Sequence, residues 1–192
     1  MQKLIVASNS ARRQQLMKDA GFQFEVHVLD VDESLAESIA NQAIAEFLAE
    51  KKNKAYRAIY KNEVILTSDT VVIANDQILG KPKDEKEAFQ MIASMSGKSH
   101  EVVSGVCISS ADHKVSFSDV TYVQFEDLSP EEISYYIKNY QPYDKAGSYG
   151  IQEWLGMVGI QSIQGSFYNV MGLPIHKVYQ VLRSEFGISP LD

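Results

Sequence analysis

The residues best suited to chemistry lie near the N-terminus, where Ser8, Ser10, Arg12 and Arg13 follow the apolar run of residues 4–7. The apolar run predicts a strand, the Ser-Asn-Ser sequence predicts a turn, and the residues after it predict the start of a helix. A helix N-terminus exposes backbone N–H groups that bind anions, and an arginine guanidinium donates forked hydrogen bonds to phosphate oxygens. We therefore predict a phosphate-binding turn. A solvated arginine pair beside an ordinary serine cap is the alternative.

A second group, Ser68-Asp69-Thr70, places a carboxylate between two hydroxyls inside the otherwise apolar residues 64–73. A carboxylate among apolar residues is costly to bury unless a metal ion or a cation neutralises it. The sequence therefore indicates either a functional aspartate or a simple turn between two short strands.

Two glycine-containing segments add a lysine and an amide. Lys81 follows a glycine after a predicted hairpin strand, where it could neutralise phosphate, although a surface turn is the simpler interpretation. Residues 144–152 form a long irregular segment ending at Gln152, which could hydrogen-bond to the edge of a base; an ordinary surface loop is the alternative. Glu33 and Lys52 complete the charged set.

Other catalytic motifs are absent from the sequence. It has no Walker A phosphate loop, no dinucleotide-binding glycine pattern and no H-E-x-x-H zinc motif, and its four histidines lack ligand spacing. Carboxylates, cations and phosphate-binding turns remain, and this combination indicates metal-assisted hydrolysis at phosphorus. Hard oxygen ligands suit Mg²⁺ or Mn²⁺.

The elements that must position these residues follow from hydrophobic periodicity and from capping signals. Their order predicts an α/β fold with a mixed, largely antiparallel sheet in a single domain, residues 1–192, with no repeat or linker. The predicted strands are residues 3–7, 22–29, 64–67, 71–74, 77–79, 99–110, 114–125, 157–163 and 166–170, and the predicted helices are residues 10–20, 39–60, 84–95, 129–138 and 174–187.

Composition narrows the class of protein. The chain has 192 residues, 45% of them hydrophobic, and a formal net charge of −7. The acidic balance argues against a general nucleic-acid binder, and a single cysteine, Cys107, excludes an intramolecular disulfide. Because neither a signal peptide nor a long apolar segment is evident, we expect a cytoplasmic enzyme with no membrane partner. The sequence leaves both a monomer and a homodimer open.

The motifs and their order resemble the Maf family over essentially the whole chain. The resemblance implies a fold shared with the inosine triphosphate pyrophosphatases, an elongated mixed β-sheet flanked by helices, with two lobes around a cleft. It also implies divalent-metal-dependent cleavage of nucleoside triphosphates between the α and β phosphates. The motifs that carry it are Ser8-x-Ser10-x-Arg12-Arg13, Ser68-Asp69-Thr70-Val71-Val72, Gly80-Lys81-Pro82, Ser96-Gly97-Lys98-x-His100, Asp144-Lys145-Ala146-Gly147-x-Tyr149-Gly150-Ile151-Gln152 and Gly165-Ser166-x-x-Asn169-Val170-x-Gly172-Leu173-Pro174.

The resemblance also implies a role for each matching residue. Asp69 would be the proton acceptor and would approach the metal, to which Glu33 would also bind. The remaining residues would contact substrate: Ser8, Ser10, Arg12 and Arg13 in the phosphate-binding turn, Lys52 and Lys81 on phosphate, and Arg12, Thr70 and Gln152 in substrate choice.

One loop decides between branches of the family. The branch that prefers dTTP and UTP carries the loop that stands intact here at residues 145–152. We therefore expect a dTTP/UTP pyrophosphatase, active also on modified pyrimidine triphosphates. The alternatives are the branch that prefers 7-methyl-GTP and a nucleotide-binding regulator of septum formation without turnover.

Overall fold

A computed structural model describes residues 2–32, 34 and 39–191. Within these residues, no helix is long and apolar enough to cross a membrane. Short 3-10 turns occupy Asn41–Ala43 and Ala146–Ser148. In chain order, the other elements are β1 (Leu4–Val6), α1 (Ala11–Asp19), β2 (Glu25–Val26), α2 (Ile44–Ile59), β3 (Val64–Ala74), β4 (Gln77–Leu79), α3 (Glu85–Met95), β5 (Ser99–Ser109), β6 (Lys114–Phe125), α4 (Pro130–Tyr140), α5 (Trp154–Val158), β7 (Ile160–Gln164), α6 (Phe167–Val170) and α7 (Ile175–Phe186).

The seven strands form one mixed sheet in the order β2-β1-β3-β5-β6-β7, and β4 pairs with β3 off this path. Strand β1 runs parallel to both β2 and β3. Strand β4 is antiparallel to β3, and β7 is antiparallel to β6. The predicted α/β fold, with a mixed sheet flanked by helices, is confirmed.

The chain folds into two compact units, which are formed by residues 1–69, 104–119 and 172–192 and by residues 70–103 and 120–171. We call them the first and second units. The chain first passes from one to the other between Asp69 and Thr70, inside β3. The second unit has a large apolar core that includes Ile92, Phe125 and Tyr136. The single-domain organisation of residues 1–192 and the cleft stay predictions.

Strand β3 differs from its prediction because Ser68-Asp69-Thr70 does not interrupt it. The eleven residues from Val64 to Ala74 form one strand, whereas the sequence predicted two strands separated by a turn. Thr67 and Asp69 have partners, whereas the buried Ser68 hydroxyl has no hydrogen-bond partner among the described residues. The Thr67 hydroxyl donates to the carbonyl oxygen of Ala49 at 2.7 Å, and Asp69 forms an ion pair. Because these groups are satisfied inside the fold, the strand continues through them.

The strand predicted at residues 166–170 is wrong, because those residues form helix α6. Ser166 caps the helix by accepting a hydrogen bond from the Asn169 backbone N–H at 3.3 Å. The Asn169 side chain donates to the carbonyl oxygen of Val102 and to the Thr121 hydroxyl, both at 3.0 Å. A capping serine and a buried amide therefore outweigh the β-branched and aromatic residues that suggested a strand.

Candidate active site

The predicted phosphate-binding turn joins β1 to α1 as the sequence indicated. Ser8 is buried at the end of β1, and its hydroxyl oxygen accepts from the Ser10 N–H at 3.2 Å. Ser10 is the N-cap of α1 and accepts from the Arg13 N–H at 3.4 Å. The Gln14 side chain closes the turn by donating to the carbonyl oxygen of Ser8 at 3.0 Å. The helix N-terminus is therefore built on a constrained turn, which suits it to an anionic ligand.

The Arg13 guanidinium is fixed in place by two backbone carbonyls. Its Nε donates to the carbonyl oxygen of Gly172 at 2.7 Å, and an Nη donates to that of Ser68 at 2.9 Å. The second contact places the cation beside the residue that precedes Asp69 on β3. A lysine could not make the same two-pronged contact, because its ammonium is a single point of charge on a flexible stem.

Helix α2 places Lys52 by lying against the sheet of the first unit. Asn53, the next residue, is buried and donates to the carbonyl oxygens of Ile65 and Cys107, both at 3.2 Å. A Cβ added at Gly105 on β5 would lie 2.2 Å from backbone atoms of α2. The helix therefore approaches the sheet as closely as a glycine allows, and this fixes the position of its lysine.

Lys52 and Asp69 form an ion pair that is largely removed from solvent. The Lys52 ammonium donates to Oδ2 of the Asp69 carboxylate, and their side chains are only 17% and 15% exposed. The charge inside the apolar strand therefore meets a cation, which offsets the cost of its burial, while the functional role of Asp69 stays a prediction. Asp69 retains enough exposure to reach a bound molecule.

In the second unit, two predicted segments meet through their backbones. The N–H of Gly147 donates to the carbonyl oxygen of Gly80 at 3.1 Å, which joins the segment that carries Lys81 to the loop of residues 144–152. Lys81 itself is exposed. Gly147 has a φ of +69°, and a Cβ there would lie 3.0 Å from the Val72 side chain. The glycine therefore lets the loop lie on the part of β3 that belongs to the second unit.

Gln152 projects from a tight turn in the same loop. The N–H of Glu153 donates to the carbonyl oxygen of Gly150 at 3.0 Å, so Ile151 and Gln152 are the two central residues of a β-turn. Ile151 is buried in the core of the second unit, whereas Gln152 is exposed. The turn thus anchors one side chain and presents the next to solvent.

A divalent cation fits the donor chemistry only with help from a substrate. In the part of the chain that the structure describes, no group of three histidine, cysteine or acidic residues could hold a metal ion. Magnesium, however, is commonly bound by one or two carboxylates together with substrate phosphates and water. Asp69 can supply one such carboxylate. Glu33, the other predicted metal ligand, lies outside the described residues.

The predicted site residues fall into two sets. The first unit contains Ser8, Ser10, Arg12, Arg13, Lys52 and Asp69, and the contacts above link Arg13 to the Ser68 backbone and Lys52 to Asp69. The second unit contains Thr70, Lys81 and Gln152. Sequence reasoning missed the partners that hold the Gln152 turn, Tyr136 and Glu153. Lys145 is buried in the structure, a property that residue type alone does not reveal, so its acidic partner could not be predicted.

Comparison with known proteins identifies the family. The model of the family described as Maf-like protein matches residues 3–185. Relatives named dTTP/UTP pyrophosphatase include those of Bacteroides thetaiotaomicron, 47% identical over 94% of this chain and 95% of the relative, and Flavobacterium johnsoniae, 49% identical over 95% and 94%. The relative of the same name from Porphyromonas gingivalis is 44% identical over 97% of this chain and 96% of its own. Among solved structures, the Ham1 protein of Staphylococcus aureus aligns with a TM-score of 0.46 and 14% identity, over 66% of this chain and 73% of its own.

The chain belongs to the Maf-like family. The resemblance inferred from its motifs is therefore confirmed.

Proposed function

We propose that this protein hydrolyses dTTP and UTP with the help of a divalent metal. The products are the nucleoside monophosphate and inorganic diphosphate. The relatives above, which carry that activity in their names, support the proposal at 44–49% identity over nearly the whole chain. The structural observation that carries it is the Lys52–Asp69 pair on β3, next to the backbone carbonyl that holds Arg13. A carboxylate and two cations in the first unit are the kinds of groups that hydrolysis of a polyphosphate needs.

In this proposal, the Ser8–Ser10 turn and Arg13 bind phosphate oxygens of the substrate. Backbone N–H groups at the start of α1 and the fixed guanidinium oppose the negative charge that grows as the phosphoanhydride breaks. Lys52 and Lys81 add positive charge along the polyphosphate. Arg12, Thr70 and Gln152 distinguish one nucleotide from another.

Asp69 acts as the general base. Its carboxylate accepts a proton from water while the water oxygen bonds to phosphorus and the bridging P–O bond between the α and β phosphates breaks. Lys52 holds the carboxylate in place through the ion pair described above. A divalent metal, when bound at Asp69 and Glu33, supplies Lewis acidity toward the phosphate oxygens.

The test is a panel of nucleoside triphosphates assayed for diphosphate release, with Mg²⁺, with Mn²⁺ and with a chelator. We expect dTTP and UTP to give the highest kcat/KM and the chelator to abolish turnover. A preference for 7-methyl-GTP would assign the protein to the other branch. Nucleotide binding without diphosphate release would favour a regulator instead.

Base choice is tested separately by Gln152→Ala. The amide can match the O4 and N3–H edge shared by thymine and uracil, and a site built on hydrogen bonds rejects bases that leave its groups unpaired. We expect the variant to lower the ratio of kcat/KM for dTTP over CTP by about tenfold, a loss typical of one or two hydrogen bonds. An unchanged ratio would mean that base selection lies elsewhere.

A further inference from the structure

The turn that presents Gln152 is closed twice. Its own backbone closes it first, through the Gly150–Glu153 hydrogen bond described above. A second bridge runs through Tyr136 on α4, whose hydroxyl oxygen accepts from the Gly150 N–H at 2.9 Å. The same hydroxyl donates to Oε2 of the Glu153 carboxylate. One phenol therefore joins the first and last residues of a turn that it does not belong to.

The bridge is buried, and its carboxylate is paired with a cation. Tyr136 is fully buried, and burial, followed by the bond to Glu153, raises the pKa of its hydroxyl, so it stays a donor at neutral pH. The other carboxylate oxygen of Glu153 lies 3.0 Å from the ammonium of Lys145, a residue at the start of the loop whose side chain is 9% exposed. Lys145 also pairs with Asp144 at 2.7 Å. The Glu153 carboxylate thus links Lys145, at the start of the loop, to Tyr136 on α4.

Two further features show that the arrangement is specific rather than incidental packing. Glu153 occupies the N-cap position of α5, yet its side chain makes no capping hydrogen bond and turns to Tyr136 and Lys145 instead. A Cβ added at Gly150 would lie 2.7 Å from the Glu153 carboxyl carbon, so the carboxylate lies directly against the backbone of the turn. The Glu153 carboxylate therefore holds the turn and does not cap α5.

We propose that Tyr136 and Glu153 are positioning residues for base selection, because they hold the turn in the one conformation in which Gln152 presents its amide to the substrate. The proposal rests on the function proposed above. The amide matches the O4 and N3–H edge of thymine or uracil only where its oxygen and nitrogen lie at the right places, because the edge of cytosine has the reversed donor and acceptor pattern. A turn held at both ends fixes the point from which the Gln152 side chain extends, and so the place at which its amide meets the base.

The test is Tyr136→Phe, which removes one oxygen and keeps the ring in the core. We expect the ratio of kcat/KM for dTTP over CTP to fall about three- to tenfold, the effect of one net hydrogen bond, mainly through KM. The double variant Tyr136→Phe/Gln152→Ala should be no less selective than Gln152→Ala alone, because the clamp acts through that amide. Glu153→Gln should lower the ratio in the same way, since the buried lysine loses one of its two acidic partners and the turn loses the carboxylate that holds it. It serves if Tyr136→Phe does not fold.

The matched control is Tyr140→Phe, which makes the same change in a ring stacked on Tyr136 from the same helix. Its selectivity should equal that of the wild type. An unchanged ratio in Tyr136→Phe, or equal losses of selectivity with and without Gln152, would overturn the positioning proposal and leave the function standing. A wild-type protein that hydrolyses neither dTTP nor UTP would instead refute the proposed function.

Discussion

Asp69→Asn separates the chemical role of the aspartate from its structural one. The substitution keeps the size of the side chain but removes its charge, so it cannot take a proton from water. Removing a general base lowers kcat by about 10²- to 10⁴-fold. The structure adds a second effect, because the Lys52 ammonium is only 17% exposed and loses its counter-ion.

The cost to stability follows from that burial. Breaking a buried ion pair by removing one partner costs about 3–5 kcal/mol, and an asparagine oxygen that still accepts a hydrogen bond recovers part of it. We therefore expect the free energy of unfolding to fall by about 1–3 kcal/mol. For a chain of this size, each kcal/mol lowers Tm by about 2–4 °C.

A double variant tests the reasoning. In Asp69→Asn/Lys52→Met, the unpaired ammonium is replaced by an apolar chain of similar length, so Tm should rise above that of Asp69→Asn while turnover stays lost. Diphosphate release and thermal unfolding measure the two effects. Asp112→Asn, which changes an exposed turn residue, is the control with unchanged activity. A folded Asp69→Asn protein with near-normal hydrolysis would refute the role of the carboxylate, and a double variant less stable than the single one would refute the ion-pair argument.

Three further predictions follow from other contacts. Arg13→Lys should lower kcat/KM for dTTP by about tenfold or more, because the fork to two carbonyls is lost, and Arg13→Ala should lower it further; full activity of Arg13→Lys, measured beside an Arg183→Lys control, would contradict this. Burial lowers the pKa of His100 to about 4, so as the pH falls the unfolded chain binds a proton on this histidine before the folded chain does. The free energy of unfolding should therefore fall by up to about 3 kcal/mol between about pH 6.5 and 4. Denaturant unfolding of His100→Gln should show a flatter pH dependence. Gly105→Ala should cost about 3 kcal/mol or more, because its Cβ would meet α2 backbone at 2.2 Å, whereas Gly80→Ala, with nothing within 4 Å of its Cβ, should not.

Local signals predicted the elements that local interactions stabilise. The Ser10 cap of α1 and the reciprocal capping box of Ser129 and Glu132 on α4 form as their residue types indicate. Asn75 and Asp76 have φ values of +51° and +61°, as their hairpin turn requires. In each case, the partners lie within four residues, so the sequence window contains the whole interaction.

Interactions between distant residues decided the elements that were predicted wrongly. The turn expected at Ser68-Asp69-Thr70 is part of a strand because its aspartate meets a lysine 17 residues away on α2. The strand expected at residues 166–170 is a helix because the Asn169 amide reaches a carbonyl 67 residues away. Secondary-structure propensity alone cannot predict such partners, because it reflects the local preference of the polar residue and not a hydrogen bond or ion pair with a distant residue.

The same distinction applies within the candidate site. Residue types predict Arg13 as a phosphate ligand, but the carbonyl that orients it belongs to Gly172, 159 residues further along the chain. Gln152 was recognisable from its loop, but the phenol that clamps its turn lies on the preceding helix. Groups that contact a ligand must have particular chemistry, so their types reveal them. Residues that only position those ligand-contacting groups need the right location in the fold, and any residue type with one suitable hydrogen-bonding atom can serve there. Variants of such positioning residues should therefore change selectivity more than rate.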